Sequence, residues 1–336
     1  MLNRSRITRR AALGAALGTG AGWPVRPAGA QSGMPQPGGA AGVPDRPVRL
    51  IYPFAPGVGD GLARALAEAV RAPLGQPMVV DNRPGANTQI GAEAAARAPR
   101  DGYTLGWVAT STLALNPHFY RDIAYRIADF APLCLVYRAP VAFAAAVDVP
   151  GGDLAGTLDF VRRNPNQPFG SVGNGSTPHL VLELMQGVTG TRLTSVAYRG
   201  EQAALADLIT GRIPFYAGSL NTLLPHREGG KFRVLAVSSP ERLAAAPDVP
   251  TFAESGFPDI VVRYWHGICA PAGTPEPVQR RLATALAAAM ASDTVRARAT
   301  PDMLLDPLTL GEFGALIRRD AEFYGRLIRE RGISVT

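Results

Sequence analysis

The sequence has little of what most protein chemistry uses. It carries two cysteines, Cys134 and Cys269, in 336 residues, which excludes a disulfide-built scaffold. Its four histidines, His118, His179, His226 and His266, stand singly. No HExxH and no Cys/His cluster offers a metal its ligands. A Walker-type phosphate loop fails at Gly230-Lys231, because Phe232 follows where Ser or Thr is needed. The run Gly57 to Gly61 lacks GxGxxG spacing, and after Gly173 and Gly175 a proline, Pro178, stands where a third glycine belongs. The nucleophile elbow GxSxG is missing. Beyond the N-terminal leader no apolar run is long enough to span a bilayer. These gaps speak against nucleotide, metal and membrane-spanning chemistry, and no cofactor is expected.

Charge is also scarcer than it first looks. Charged residues make up 18% of the chain, and the formal net charge is +7. Arg4, Arg6, Arg9, Arg10 and Arg26 lie in the first thirty residues, which contain no acid. The 34 basic residues less these five, against 27 acids, leave +2. The excess basicity therefore belongs to a leader and is no footprint for nucleic acid. A basic head, the Ala/Gly/Leu stretch Ala11 to Gly22 and the small-residue site Ala28-Gly29-Ala30 read as an export signal over residues 1–30, cleaved after Ala30. Thr8-Arg9-Arg10 fits a twin-arginine signal. A periplasmic location follows. Residues 31–46, rich in Gly and Pro, read as a flexible leader.

What is present is a regular alternation. "VRLIYPF", "MVVDN" and "YTLGWVAT" read as strands. Between them, helical spacing of Leu62, Leu66, Ala69 and Val70, and a run from Ile90 to Ala98, mark helices. Asp60 is placed to cap the first helix and Gly75 to end that segment. This rhythm predicts a parallel sheet covered on both faces. It returns after residue 150, with helices near 153–163, 178–188 and 202–209 and strands near 169–172, "TSVAY", "IPFYA" and "RVLAVSS". The apolar stretches "LCLVYRAPVAFAAAV" and "IVVRYWHGICAP" are each long enough to cross between the two units as a strand, leaving a hinge beside a cleft. Cys134 and Cys269 lie in these stretches, as buried free thiols or, in an oxidising compartment, as a pair. In the C-terminal part, Pro275 opens one helix, whose stripe is Val278, Leu282, Leu286 and Met290. Thr309 and Glu312 form a capping box for the last helix, with Phe313, Leu316, Ile317, Phe323, Leu327 and Ile328 facing inward. Arg318-Arg319, with Asp320 and Glu322 close by, reads as a solvated face.

Two chemistries fit "GSVGNGSTPHL", Gly170 to Leu180. Ser176 and His179 stand at i, i+3 and would suit a serine hydrolase, although no third triad member is marked. Alternatively, Ser176 and Thr177 precede a helix start, whose free N–H groups and dipole favour an anion. "PFAPGVGDGLAR" and "NRPGANTQIG" repeat that strand-to-helix pattern in the other unit. Ligands of open α/β sheets bind beyond the carboxyl ends of strands. The anion cradle is therefore the reading preferred over the hydrolase.

The ordered segments "YPFAPG", "D-x-x-A-R" at Asp60 to Arg64, "LGQPMVVDNRPGA", "IGAE", "DGYTL", "NPHFY", "GSVGNGSTPHL", "AYRG", "LAVSSPERLAAAPDVPTFAESGFP" and "W-x-G-x-x-APAGTP" resemble the periplasmic substrate-binding proteins of tripartite tricarboxylate transporters, the Bug-type receptors. The resemblance covers nearly all of the chain past the leader. It implies an α/β, two-lobed periplasmic-binding-protein fold (type II-like) hinged by crossing strands, with lobe 1 at 47–141 and 265–336 and lobe 2 at 142–264. It implies a small carboxylate captured between the lobes for uptake or sensing, without catalysis. It also implies a monomer that works with two membrane components of a transporter. By family pattern the site gathers Phe54, Ala55, Pro56, Gly57, Val58, Gly59 and Asp60; Asn87 and Thr88; Thr110 and Ser111; Asn174, Gly175, Ser176, Thr177 and His179; and Tyr198.

The chain also departs from that pattern. The usual PGGxxD cradle is one residue shorter, with Val58 in place of a glycine. Asn87-Thr88 replaces Gly-Gly, and Gly218 and Pro214 stand where Asp is frequent. Side-chain donors are thereby added at one wall and a carboxylate is removed from the other. The expected ligand is a carboxylate without an amino group, contacted partly by Asn87 or Thr88.

Overall fold

The computed structural model describes residues 44–56, 60–198 and 200–335. The export signal, most of the leader, and Gly57, Val58 and Gly59 of the first cradle lie outside these residues. Among the described residues nine strands are formed: β1 (Val48–Tyr52), β2 (Met78–Asn82), β3 (Thr104–Ala109), β4 (Phe130–Ala146), β5 (Gln167–Ser171), β6 (Leu193–Ala197), β7 (Phe215–Ser219), β8 (Phe232–Val237) and β9 (Arg263–Pro271). Their order is β2-β1-β3-β9-β4-β7-β5-β6, with β8 also paired to β4.

The 17 residues of β4 explain the two-lobed form. From Phe130 to Pro140 the strand pairs β9; from Val141 it pairs β7, and from Ala142 β8. One strand thus serves both lobes. Its largely apolar sequence, interrupted by Arg138, suits it to burial on both faces. The sheets are mixed where all-parallel pairing is predicted for each unit. β1 is parallel to β2 and β3, and β5 to β6 and β7, but β4 and β9 run antiparallel to their neighbours. The cause is connectivity: a strand that leaves one lobe and a strand that returns lie side by side in opposite directions.

The second crossing corrects expectation. β9 begins at Arg263, opposite Pro140, and reaches only β3 and β4. Ile260 to Val262 belong to no strand. That passage is held by Ser238 instead. The backbone N–H of Val262 donates to the Ser238 carbonyl at 3.1 Å, and the N–H of Val141 donates to Ser238 Oγ at 2.8 Å.

Helix signals are met with three adjustments. Asp60 stands at the N-cap of helix Gly61–Ala69, yet its side chain makes no cap bond; Arg64, one turn on, takes the carboxylate. Pro275 occupies the N-cap position of helix Glu276–Met290, and Pro277 lies in its first turn. Phe323 of helix Leu310–Glu330 is 46% exposed, because Ile317, Ala321, Tyr324 and Ile328 continue the buried stripe at 4-3-4 spacing. The Thr309/Glu312 capping box forms as read, and Gly75 ends its segment in the left-handed conformation.

Cys134 and Cys269 are buried free thiols. Register puts Cys134 opposite Ile268 and Cys269 opposite Pro132, so the backbones are close. The side chains part across the sheet. Cys134 belongs to the core cluster that holds Leu50, Trp107 and Leu286, and Cys269 to the one that holds Phe130, Leu135 and Phe313. Burial raises the Cys134 thiol to about 12.

Candidate ligand cleft

The first wall starts at the end of β1. Asn82, the last residue of β2, donates from Nδ2 to the Phe54 carbonyl at 3.1 Å. Arg64 donates from Nε and Nη2 to Asp60 Oδ2 at 3.0 and 2.8 Å, and from Nη2 to Asn82 Oδ1 at 3.0 Å. Asp60 is buried, whereas Ala55 and Pro56 are exposed. This network pins both ends of the loop. Helix Gln89–Ala96 backs it closely: a Cβ at Gly91 would lie 2.8 Å from Pro53 Cβ, so only glycine fits.

Ala86, Asn87 and Thr88 have φ of 46°, 48° and 75°. Three consecutive left-handed residues without a glycine are strained, by about 1 kcal/mol or more each. Hydrogen bonds hold them. Asn87 Nδ2 donates to Asn116 Oδ1 at 2.8 Å, Asn116 Nδ2 donates to the Asn87 carbonyl at 2.7 Å, and the Thr88 and Thr112 hydroxyls meet at 2.9 Å. The side chains of Asn87 and Thr88 are thus bonded within the lobe. Thr110 is likewise engaged, accepting from the Trp265 N–H at 2.7 Å, and both Thr110 and Ser111 are buried.

In the second wall, Ser176 caps helix Thr177–Thr189, its hydroxyl accepting from the His179 N–H at 3.4 Å. The His179 ring faces other groups. Nδ1 accepts from the Gly175 N–H at 3.3 Å, and Nε2 lies 3.6 Å from Glu183. Burial pushes its pKa down to about 4. Neither ring nitrogen bonds the Ser176 hydroxyl, so the pair is a helix cap rather than a nucleophile with its base. Tyr198 donates to Asp207 at 2.8 Å, and desolvation, with that bond, raises its hydroxyl to about 12. Gly218 lies beneath the Tyr216 ring, where an added Cβ would stand 1.9 Å from the hydroxyl oxygen.

The walls touch at two places. Tyr120 donates to the Asn174 carbonyl at 3.1 Å, Asn174 Nδ2 donates to the Val335 carbonyl at 3.3 Å, and the Phe119 ring meets His179 edge-on. Elsewhere Asn221 donates from its backbone to Asp302 at 3.3 Å and from Nδ2 to Thr300 at 3.1 Å. Desolvation raises the Asp302 carboxyl.

Sequence reading missed a ring cluster beside the first wall. Tyr52, Phe54, Trp107, Tyr137, Tyr264 and His266 form a continuous set of aromatic contacts. The signal was present: Tyr264 and His266 are two apart on β9 and so share a face, and Tyr137 is the register partner of His266. Glu201 was missed too. It accepts from the Ser219 N–H at 2.9 Å and from the Ser219 and Thr222 hydroxyls, joining the helix that follows Gly200 to the end of β7.

Residues 62–333 match the tripartite tricarboxylate transporter family receptor. The chain belongs to this family. Its fold and the resemblance to Bug-type receptors agree with that assignment. Protein BugT of Bordetella pertussis is 32% identical over 312 residues, covering 90% of this chain and 94% of BugT. Rpa4515 of R. palustris, solved with adipate, superposes with a TM-score of 0.80 at 31% identity, over 87% of this chain and 99% of that one. MatC of Rhodopseudomonas palustris, solved with bound malate, gives 0.78 at 28% identity, over 85% and 99%. Among the described residues no helix is long and apolar enough to cross a membrane, and no group of three His, Cys, Asp or Glu side chains is placed to hold a metal.

Proposed function

We propose that this chain is an exported receptor that closes two lobes on a small carboxylate. The supporting observation is the approach of helix-start turns from the two walls: a Cβ at Gly175, ahead of helix Thr177–Thr189, would lie 3.1 Å from Nδ2 of Asn87, ahead of helix Gln89–Ala96, and Tyr120 donates to the Asn174 carbonyl. Asp60 leads into helix Gly61–Ala69, and Asn174 to Ser176 lead into helix Thr177–Thr189. Backbone N–H groups at helix starts suit a carboxylate without a charged side chain. Adipate in Rpa4515 and malate in MatC support this ligand class. The lobes proposed are 47–141 with 265–336, and 142–264. The change of partners in β4 between Pro140 and Val141 supports a hinge there.

Export by the twin-arginine route, cleavage after Ala30, a monomeric state and delivery to two membrane components complete the reading. The test is thermal unfolding of the mature chain with a panel of mono- and dicarboxylates, alongside a chromogenic ester. A carboxylate should raise the melting temperature in a concentration-dependent manner. Ester turnover abolished by Ser176→Ala, with no carboxylate bound, would sink the receptor reading.

A further inference from the structure

The second wall is gripped by the end of the chain. Helix Leu310–Glu330 stops in a Schellman turn. Gly332 is left-handed at φ 62°, and its N–H donates to the Arg329 carbonyl at 3.3 Å. The Ile333 N–H donates to the Ile328 carbonyl at 3.0 Å. Both carbonyls would otherwise be left open at the helix end. Ile333 is buried in the same core cluster as Ile328, the apolar contact that commonly accompanies this turn. The direction of the chain past Gly332 is therefore fixed. It leads to the start of helix Thr177–Thr189, where Val335 is half-buried and its carbonyl accepts from Asn174 Nδ2 at 3.3 Å. Arg331 runs along the same helix, its Nη1 standing 3.8 Å from where a Cβ at Gly187 would lie.

Asn174 is oriented to receive that tail. Its Oδ1 accepts from the Ser195 hydroxyl on β6 at 3.0 Å. With the oxygen so engaged, Nδ2 is turned to Val335, whose carbonyl can only accept. The main-chain carbonyl of Asn174 accepts from Tyr120 at 3.1 Å. One residue of the second wall is thus bonded to two first-lobe elements, 54 and 161 residues away in sequence. Gly175 makes that approach possible. It is left-handed at φ 80°, and a Cβ there would stand 3.1 Å from the Tyr120 hydroxyl oxygen, 3.1 Å from Asn87 Nδ2 and 3.3 Å from Val335 Cγ1. Three groups of the first lobe converge on a residue without a side chain, directly ahead of Ser176 and the helix it caps.

We propose that Gly332 to Val335 form a latch, carried by the last helix, that closes on the Asn174–Gly175 turn and holds the second lobe against the first, with Asn174 as its positioning residue. The proposal rests on the receptor reading and adds the device that keeps the closed form. The latch contacts exist only while the lobes are together, so they weight the closed form over an open one. One side-chain hydrogen bond and one apolar contact together shift that balance by roughly tenfold. The latch acts beside the cradle, on closure, and so governs how long a ligand is held.

Small-angle scattering and amide hydrogen exchange on the mature chain, both without ligand, test it. Ending the chain at Ile333 removes the latch and keeps the Schellman turn. The radius of gyration should then rise, and the amides of residues 173–180 should exchange about tenfold faster. Asn174→Asp should do the same, because an acceptor then faces the Val335 carbonyl. Val335→Ala keeps that carbonyl and should retain most of the closure. A tail that only finishes its helix would speed exchange at residues 326–331 and leave the radius unchanged, and that result overturns the proposal. An Asn174→Asp chain with the native radius overturns the role of Asn174. The carboxylate panel on the full chain is a separate measurement. Unchanged radius and exchange in the shortened chain, with a carboxylate still stabilising the full chain, overturn the latch alone. A full chain that no carboxylate stabilises overturns the receptor reading, and with it any role of the latch in holding a ligand.

Discussion

On one flank of the cleft, Asn87, Asn116, Tyr120 and Asn174 meet through hydrogen bonds of 2.7 to 3.1 Å. On the other, Phe54, Tyr137, Tyr264 and His266 meet through ring faces and edges. The two kinds of contact do different work. Hydrogen bonds are directional, so the polar flank fixes one approach of the lobes and restrains the left-handed turn at Ala86 to Thr88. Ring contacts are broad and tolerate sliding, so the aromatic flank shapes the surface without dictating the approach. Each flank also holds a neutral histidine, His179 beside Phe119 and His266 beneath Phe54. The comparison separates a polar flank that joins the two walls from an aromatic flank packed beside the first wall.

That division can be broken by pH first, because it acts on both flanks. His179 and His266 have folded pKa values of about 4 and about 3, below the 6.5 of an unperturbed histidine. Between these values the unfolded chain binds more protons, so stability is full above about pH 6.5 and falls as pH drops. Each histidine should cost about 2 kcal/mol between pH 6.5 and 5, at about 1.4 kcal/mol per unit. Urea melts at both pH values check this, and His179→Asn should remove about half of the loss.

Asn116→Ala should come next, at about 3 kcal/mol, because it releases the strained turn and removes both bonds between Asn116 and Asn87. Chemical unfolding measures it; a loss under 1 kcal/mol would mean that the turn is held by its backbone. On the aromatic flank, Gly218→Ala should cost about 2 kcal/mol by overpacking against Tyr216. The same change in a Tyr216→Leu background should cost much less, which a double-mutant cycle reads. The smallest effect expected is Tyr120→Phe, about 1 kcal/mol for one bond between the lobes. Small-angle scattering should then show a larger radius of gyration, whereas a Phe54→Leu chain should keep its size. Equal expansion in both would erase the division between the flanks.

Local signals carried the elements. A Ser cap with Pro178 behind it started helix Thr177–Thr189 and Gly190 stopped it; Thr309 and Glu312 did the same service for the last helix. The second cradle loop was legible as a strand-to-helix turn because its glycines and hydroxyls are contiguous. Side-chain roles were not legible. Asp60 was read as a cap, but Arg64 lies one turn on and binds its carboxylate from two nitrogens. Asn87, read as a ligand donor, also bonds Asn116 from its amide, 29 residues away.

The sequence by itself determined the alternation of strands and helices, the breaks between them, the burial of one long strand, and the segments that mark the family. Each of these depends on neighbours within a few positions, where period and capping chemistry act. Only the tertiary structure decided that Cys134 and Cys269 face opposite sides of one sheet, that Tyr216 fills the space over Gly218, and that Trp107 sets the tautomer of His266. Trp107 and His266 are 159 residues apart. No local pattern links them. Their contact exists because β3 and β9 are neighbours in the sheet, and strand order follows from how the whole chain buries its apolar surface.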